Sequence, residues 1–285
     1  MRLEWREIMN KESEKNIKKG KKLIILGFAT IGILFLLYGR YQDPELLTPD
    51  AIDTIGRIAY GFYITIIASF GIISLGMYRY HKGKVQGNGK DLSTIIALVT
   101  WNSKSRKIFL TVFITYGIFF SLVSGTLVYQ PEVSFSYHYG AIIPSGFIAP
   151  CCGDIGYMPK VIVYLTDNVG LQIIPINLVL QIIVSYLVGL NASIAVNAYT
   201  ISKKGRGASS IGAATGLFIA CPTCAGSFIS IFIGTASGIA LSVALTELQT
   251  LFIAISIPVL LITPYVMAKK LRNKDGSCKI SGESQ

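Results

Sequence analysis

Residues 23–39, Leu-Ile-Ile-Leu-Gly-Phe-Ala-Thr-Ile-Gly-Ile-Leu-Phe-Leu-Leu-Tyr-Gly, contain no charged side chain. An apolar run of about 20 residues can cross the hydrocarbon core of a bilayer as a helix. Similar runs recur along the chain, which is 52% hydrophobic and 14% charged, whereas soluble domains carry about 25% charge. The sequence therefore predicts an all-α, polytopic membrane bundle of about six transmembrane helices. The predicted spans are 23–39, 57–78, 108–129, 172–198, 210–234 and 248–268.

The basic residues are distributed unevenly between the two sides of such a bundle. With the N-terminus in the cytoplasm, most of the 26 lysines and arginines lie in cytoplasmic tails and loops, and only Arg40, Arg57 and Lys160 fall elsewhere. This positive-inside pattern predicts a multi-pass protein of the cell membrane with both termini cytoplasmic. The net charge of +11 then follows from topology. Because glutamates interleave with the basic residues of the N-terminal tail, no nucleic-acid partner is predicted.

The spans divide the chain into successive segments. These are a cytoplasmic amphipathic tail (1–22), the first three transmembrane helices (23–129), an apolar segment (130–171), the last three transmembrane helices (172–268) and a cytoplasmic tail (269–285). The apolar segment lies outside by this topology, yet it contains prolines and glycines that interrupt helices. Irregular backbone at membrane depth is tolerated only where it is buried in protein or lines a cavity. We therefore predict an outer segment that is packed onto the bundle or partly re-entrant, with the cysteines in a hairpin or re-entrant stretch around 140–165.

Four of the five cysteines form two pairs in this apolar setting, Cys151-Cys152 and Cys221-Pro-Thr-Cys224. The i, i+3 spacing of the second pair places both sulfurs on one helical face, and CxxC motifs lower the thiol pKa. Two thiolates suit a soft cation such as Cu(I), and they can also exchange a disulfide. The four cysteines are the predicted metal or redox site, with the first pair at the outer face and the second deeper in the membrane.

The residues around the first pair provide secondary candidates. Adjacent cysteines in an extended chain point to opposite sides, whereas a turn lets both face one ligand. His138, Asp154 and Met158 lie nearby in sequence, and copper tolerates a mixed set of Cys, His and Met ligands. His138 equally fits a simpler role in an aromatic cluster with its two tyrosine neighbours at the membrane interface.

No catalytic motif accompanies the cysteines in the sequence. It contains no HExxH, no P-loop and no Ser-His-Asp signature, so an enzyme is not favoured. Three functions stay open: a thiol site that binds or moves a soft metal ion, above all copper; thiol-disulfide electron transfer across the membrane; and a structural or accessory subunit. In the last case the cysteines are inert, because buried cysteine packs like a small hydrophobic residue. The lipid bilayer is the predicted partner, and any membrane or redox partner and the oligomeric state are left open.

Two local resemblances bear on these alternatives. Residues 149–153, Ala-Pro-Cys-Cys-Gly, resemble the vicinal cysteine pair of the mercuric-ion transport membrane proteins, which implies that Cys151 and Cys152 are outer metal acceptors. Those proteins are much smaller and carry their pair in a first span. Segments 146–159 and 216–226 resemble the two proline-cysteine segments of the transmembrane thiol-disulfide carriers of cytochrome c biogenesis. In that family one cysteine from each segment forms a membrane-embedded disulfide, whereas each segment here carries two cysteines.

Overall fold

The structure is a computed structural model that describes residues 2–40, 49–87, 91–129, 131–151, 153–204, 257–266 and 269. Its elements in chain order are α1 (Arg2–Gly39), α2 (Pro49–Gln86), α3 (Leu92–Trp101), α4 (Ser103–Val123), β1 (Leu127–Tyr129), α5 (Phe135–Tyr139), β2 (Ser145–Ala149), β3 (Lys160–Tyr164), β4 (Val169–Ile173), α6 (Pro175–Lys204) and α7 (Ile257–Val266). They belong to two compact units, Met1–Gln86 with Ser124–Gln181, and Gly87–Val123 with Ile182–Gln285.

The described part of the chain is mostly helical, and four of its helices are long and apolar enough to cross a membrane. These stretches are Asn10–Gly39, Asp53–Gln86, Ser103–Leu122 and Pro175–Val196. Each overlaps one of the first four predicted spans. The fifth predicted span, 210–234, lies outside the described residues, and the sixth, 248–268, is described chiefly as the short apolar helix α7.

The prediction of an all-α chain missed a small sheet between α4 and α6. Four antiparallel strands lie in the order β1-β4-β3-β2. Two of them fall in the segment predicted as packed or re-entrant, and β4 begins there and ends at Ile173, inside the predicted fourth span. The reason is local: β3 reads Lys-Val-Ile-Val-Tyr and is separated from β4 by a short polar turn, 165–168. Short runs of β-branched and aromatic residues between turns favour strands. Apolar composition alone did not distinguish such runs from membrane-embedded backbone.

The first unit is built on an antiparallel hairpin of α1 and α2, whose helices meet along a seam of small residues. The seam residues recur every seven positions: Ser13, Gly20 and Gly27 on α1, and Ser69, Gly76 and Gly83 on α2. The Ser13 hydroxyl donates to the Gly83 carbonyl at 2.8 Å. A Cβ atom on Gly20 would lie 2.8 Å from the Gly76 carbonyl oxygen. Small residues at a heptad spacing therefore let the two backbones touch.

This seam also explains why the predicted tail, 1–22, and the predicted first span form one continuous helix. The buried seam positions extend from Gly27 back to Ser13, so the pairing with α2 continues beyond the apolar run. The 38 residues of α1 correspond to about 57 Å of helix, whereas the hydrocarbon core is about 30 Å thick. The hairpin is therefore longer than the membrane is thick, and its surplus length lies at the end that carries the lysines.

In the second unit, α6 packs closely against neighbouring helices. Gly189 permits contact with α4, since a Cβ atom there would lie 3.1 Å from the Phe109 carbonyl oxygen. Asn191 is 2% exposed, and its side-chain amide nitrogen donates to the Leu260 carbonyl of α7 at 3.0 Å. That carbonyl lacks its usual helical donor, because Pro264, four residues later, has no backbone N–H. A side chain of one helix thus satisfies the backbone group that a proline releases in another.

The turn between β3 and β4 fixes the short helix α5. The hydroxyls of Ser136 and Ser134 donate to the Asp167 carboxylate, and the backbone N–H of Phe135 donates to the Asp167 carbonyl at 2.7 Å. The Asn168 side chain donates to the Val133 carbonyl at 3.1 Å. The serine hydroxyls, Ser136 above all, lower the pKa of Asp167 below its ordinary value.

Replacing Ser136 with alanine is expected to raise the pKa of Asp167 towards that of an ordinary aspartate, because the largest contribution to the shift is removed. Since the folded pKa lies below the unfolded one, the carboxylate contributes stability above the unfolded value of about 3.9. That contribution is lost as the pH falls through the folded pKa. Carboxyl-carbon NMR titration measures the midpoint. Ser124→Ala is the control, because its hydroxyl contacts Thr126 instead, and equal midpoints in wild type and Ser136→Ala would contradict this role.

Candidate thiol site

Cys151 lies in the loop between β2 and β3, and tyrosines of the α1–α2 hairpin hold both ends of that loop. At its start, the Tyr38 hydroxyl donates to the Pro150 carbonyl at 2.6 Å. At its end, the Tyr63 hydroxyl donates to the Pro159 carbonyl at 2.6 Å. Because both tyrosines belong to helices that pack along each other, the two ends of the loop are fixed relative to the hairpin.

The Met158 side chain also anchors this loop to the α1–α2 hairpin. It is 8% exposed and belongs to an apolar cluster with Tyr38 and Phe62, whose ring centroids are 4.9 Å apart. Met158 was predicted as a secondary metal ligand, and the structure gives it a packing role. A thioether is soft and polarizable, so packing does not remove its capacity to bind a soft ion.

The turn that follows the cysteine pair passes directly over Met158. A Cβ atom on Gly153 would lie 3.1 Å from Cγ and 3.2 Å from Cε of Met158, and 3.9 Å from its sulfur. The absence of a side chain at Gly153 therefore leaves room for the Met158 side chain beside this turn. Cys151 itself is half-buried. The loop thus carries Cys151 between two fixed ends, and it packs the Met158 side chain beside Gly153.

The other two secondary candidates differ from Met158 in their surroundings. His138 is exposed on α5, where its ring meets that of Tyr137 edge to face with centroids 5.4 Å apart. Its Nδ1 atom lies 3.2 Å from the Ser134 carbonyl oxygen. Asp154 is exposed, and its backbone carbonyl accepts a hydrogen bond from Tyr157 at 3.0 Å. Within the described ranges, no three His, Cys, Asp or Glu side chains form a group that could hold a metal ion.

The structure places Cys151 but not the other predicted site cysteines. Cys152, Cys221 and Cys224 lie outside the described residues, as does Cys278 of the C-terminal tail. That the two cysteine pairs form one shared site therefore stays a prediction.

Tyr38 and Tyr63 support the cysteine loop, and the sequence did not indicate either of them. Tyrosine near the end of a span is typical of the aromatic belt at a membrane interface, which gives no reason to select either one. A usable signal was the heptad: Tyr38 follows Ile31 by seven positions, and both are buried, at 3% and 4% exposed. That spacing directs Tyr38 towards α2. Its hydroxyl is then buried and requires a hydrogen-bond acceptor, which is the Pro150 carbonyl.

Comparison with known proteins identifies no relative from which a function could be transferred. The chain matches no protein-family model, no curated protein and no solved structure.

Proposed function

We propose that the chain is a multi-pass membrane protein with six transmembrane helices and cytoplasmic termini, which binds and moves a soft metal ion such as Cu(I). The thiols of Cys151 and Cys152 accept the ion at the outer face, as in the resemblance to mercuric-ion transport proteins. Cys221 and Cys224 hold it deeper in the membrane. The copper-like ion is the substrate, and thiolates are its natural ligands.

The contact between Gly153 and Met158 is the observation that carries this proposal. It places the Met158 side chain, which carries a thioether, beside the turn that follows Cys151. A thioether is the other soft sulfur donor among protein side chains. Tyr38 and Tyr63 hold the ends of the same loop. A loop whose ends are already fixed loses less conformational entropy when it closes on an ion.

The direct test is the metal content of the purified full-length protein after loading with Cu(I). We expect Cys151→Ser/Cys152→Ser to lose most of the bound copper, because a hydroxyl is a poor ligand for a soft ion. Cys278→Ser is the matched control, since it removes a thiol from the C-terminal tail outside the proposed site. Equal copper content in the double variant and the wild type would rule out binding by this pair.

Met158→Leu separates the packing role of Met158 from its role as a sulfur donor. Leucine conserves volume, so the free energy of unfolding should fall by less than about 1.5 kcal/mol. We expect a clear fall in Cu(I) affinity, measured by competition with a chromogenic chelator. Unchanged affinity would leave Met158 with packing alone, and the cysteines would then bind without it.

Thiol-disulfide electron transfer is the competing proposal, and it predicts a different dependence on redox conditions. A disulfide between the pairs would protect one cysteine of each pair from alkylation under oxidising conditions and release both under reducing conditions. Alkylation mass shifts of the full chain measure this difference. Copper binding without redox-dependent alkylation supports metal handling. A cysteine-free variant that keeps both its fold and its full activity would support a structural or accessory subunit with inert cysteines.

A further inference from the structure

A basic surface patch lies on the N-terminal half of α1, away from the seam with α2. It is formed by Lys11, Glu14, Lys15, Lys18, Lys19 and Lys22. The lysines at 11, 15, 18 and 22 follow the spacing of a single helical face. Their side chains are exposed, whereas Ser13 and Gly20 of the seam are buried.

The same face of α1 becomes strongly apolar after Lys22. Ile25, Ile33 and Leu36 are 68%, 57% and 67% exposed, and they continue the i, i+4, i+7 pattern of the lysines. Large apolar side chains exposed along a membrane-spanning stretch contact lipid chains. The lysines that precede them on this face are therefore directed towards the lipid of the adjoining leaflet.

The depth of the lysines matches the headgroup layer. Lys22 directly precedes the apolar run, and Lys18 lies one turn further out, about 6 Å along the axis. The polar layer of each leaflet is about 5–7 Å thick. Lys11 and Lys15 lie beyond it. Each lysine close to an anionic membrane surface strengthens binding, while Glu14 opposes it.

We propose that this lysine face binds the phosphate groups of anionic phospholipids in the leaflet next to the N-terminal half of α1. Neutral phospholipids lack the net charge that the face complements. The lysine stems extend along the helix and let the ammonium groups reach the phosphates. The seam with α2 keeps α1 helical through both the lysines and the lipid-facing residues. Lipid binding therefore does not require the helix to fold on contact.

The test compares wild-type protein, Lys18→Gln/Lys22→Gln and Lys104→Gln/Lys107→Gln. The last variant removes the same charge from exposed lysines of α4. Each is reconstituted into phosphatidylcholine bilayers with and without phosphatidylglycerol, and native mass spectrometry measures the phosphatidylglycerol retained after extraction. We expect about thirtyfold weaker retention for Lys18→Gln/Lys22→Gln, and little change for the α4 control.

Three further measurements distinguish lipid binding by the lysine face from the alternatives. Glu14→Gln is expected to increase retention, and added salt is expected to decrease it, because exposed charges are screened. Soluble glycerol phosphate should not displace the lipid, since it lacks the acyl chains that place the phosphate at this depth. Equal loss of retention in both double variants would overturn the proposal in favour of a general effect of net charge. Equal retention of phosphatidylglycerol and phosphatidylcholine by the wild type would also overturn it. Displacement by glycerol phosphate would identify a free-phosphate site instead.

Discussion

Replacing Gly20 with alanine is expected to destabilise the α1–α2 hairpin by about 1–3 kcal/mol, the usual cost of overfilling a packed interface. The added Cβ atom would lie 2.7 Å from the Tyr80 backbone nitrogen and 2.8 Å from the Gly76 carbonyl oxygen. Both are backbone atoms of α2, so no side chain can rotate away. The helices must separate, and the separation should also disturb Tyr38 and Tyr63, which depend on the hairpin to hold the cysteine loop.

The matched control for this prediction is Gly32→Ala on the same helix. A Cβ atom at Gly32 meets nothing within 4 Å, so alanine there should be neutral or stabilise the helix by up to about 1 kcal/mol. Unfolding of the detergent-solubilised protein, followed by circular dichroism, compares the two variants. Similar effects of Gly20→Ala and Gly32→Ala would mean that the seam does not hold the hairpin together.

Removing the Asn191 side chain is the second substitution with a large expected effect. Asn191→Leu leaves the Leu260 carbonyl without the donor that replaces the missing N–H of Pro264, and a buried unsatisfied carbonyl costs about 1–3 kcal/mol. Pro264→Ala restores a backbone N–H four residues after Leu260. We therefore expect Pro264→Ala to rescue Asn191→Leu, with a coupling free energy of about 1 kcal/mol or more.

Thr263→Val is the control for this double-mutant cycle. The Thr263 hydroxyl donates to the Val259 carbonyl, which keeps its backbone donor whether or not residue 264 is proline. Thr263→Val and Pro264→Ala should therefore be additive in the free energy of unfolding. The role assigned to Asn191 is disproved if Asn191→Leu and Pro264→Ala are additive as well.

Composition and run length were sufficient to predict the four helices that could cross a membrane. An uncharged run such as 23–39 is governed by one dominant free-energy term, the transfer of apolar side chains into lipid, and that term can be evaluated locally. The bounds were less predictable. The helices α1 and α2 extend well beyond their apolar runs because Ser13 pairs with Gly83, a contact between positions distant in sequence.

The sheet and the support of the cysteine loop were harder to predict, because both depend on long-range pairing. Val161 pairs with Ile173 across β3 and β4, and no local pattern specifies that partner. The Tyr38 hydrogen bond to Pro150 similarly joins residues that are far apart in the chain. Local sequence did identify Met158 as a neighbour of the cysteines, although its burial in the apolar cluster with Phe62 depends on α2.

X-ray absorption at the copper edge of the Cu(I)-loaded, full-length protein tests most directly whether thiols of the 150–159 loop bind a soft metal ion. We predict that sulfur atoms dominate the first coordination shell of the wild type, and that their contribution falls in Cys151→Ser/Cys152→Ser and is unchanged in Cys278→Ser. A first shell of nitrogen and oxygen alone, or identical spectra for the wild type and the Cys151→Ser/Cys152→Ser variant, would contradict the proposed thiol site.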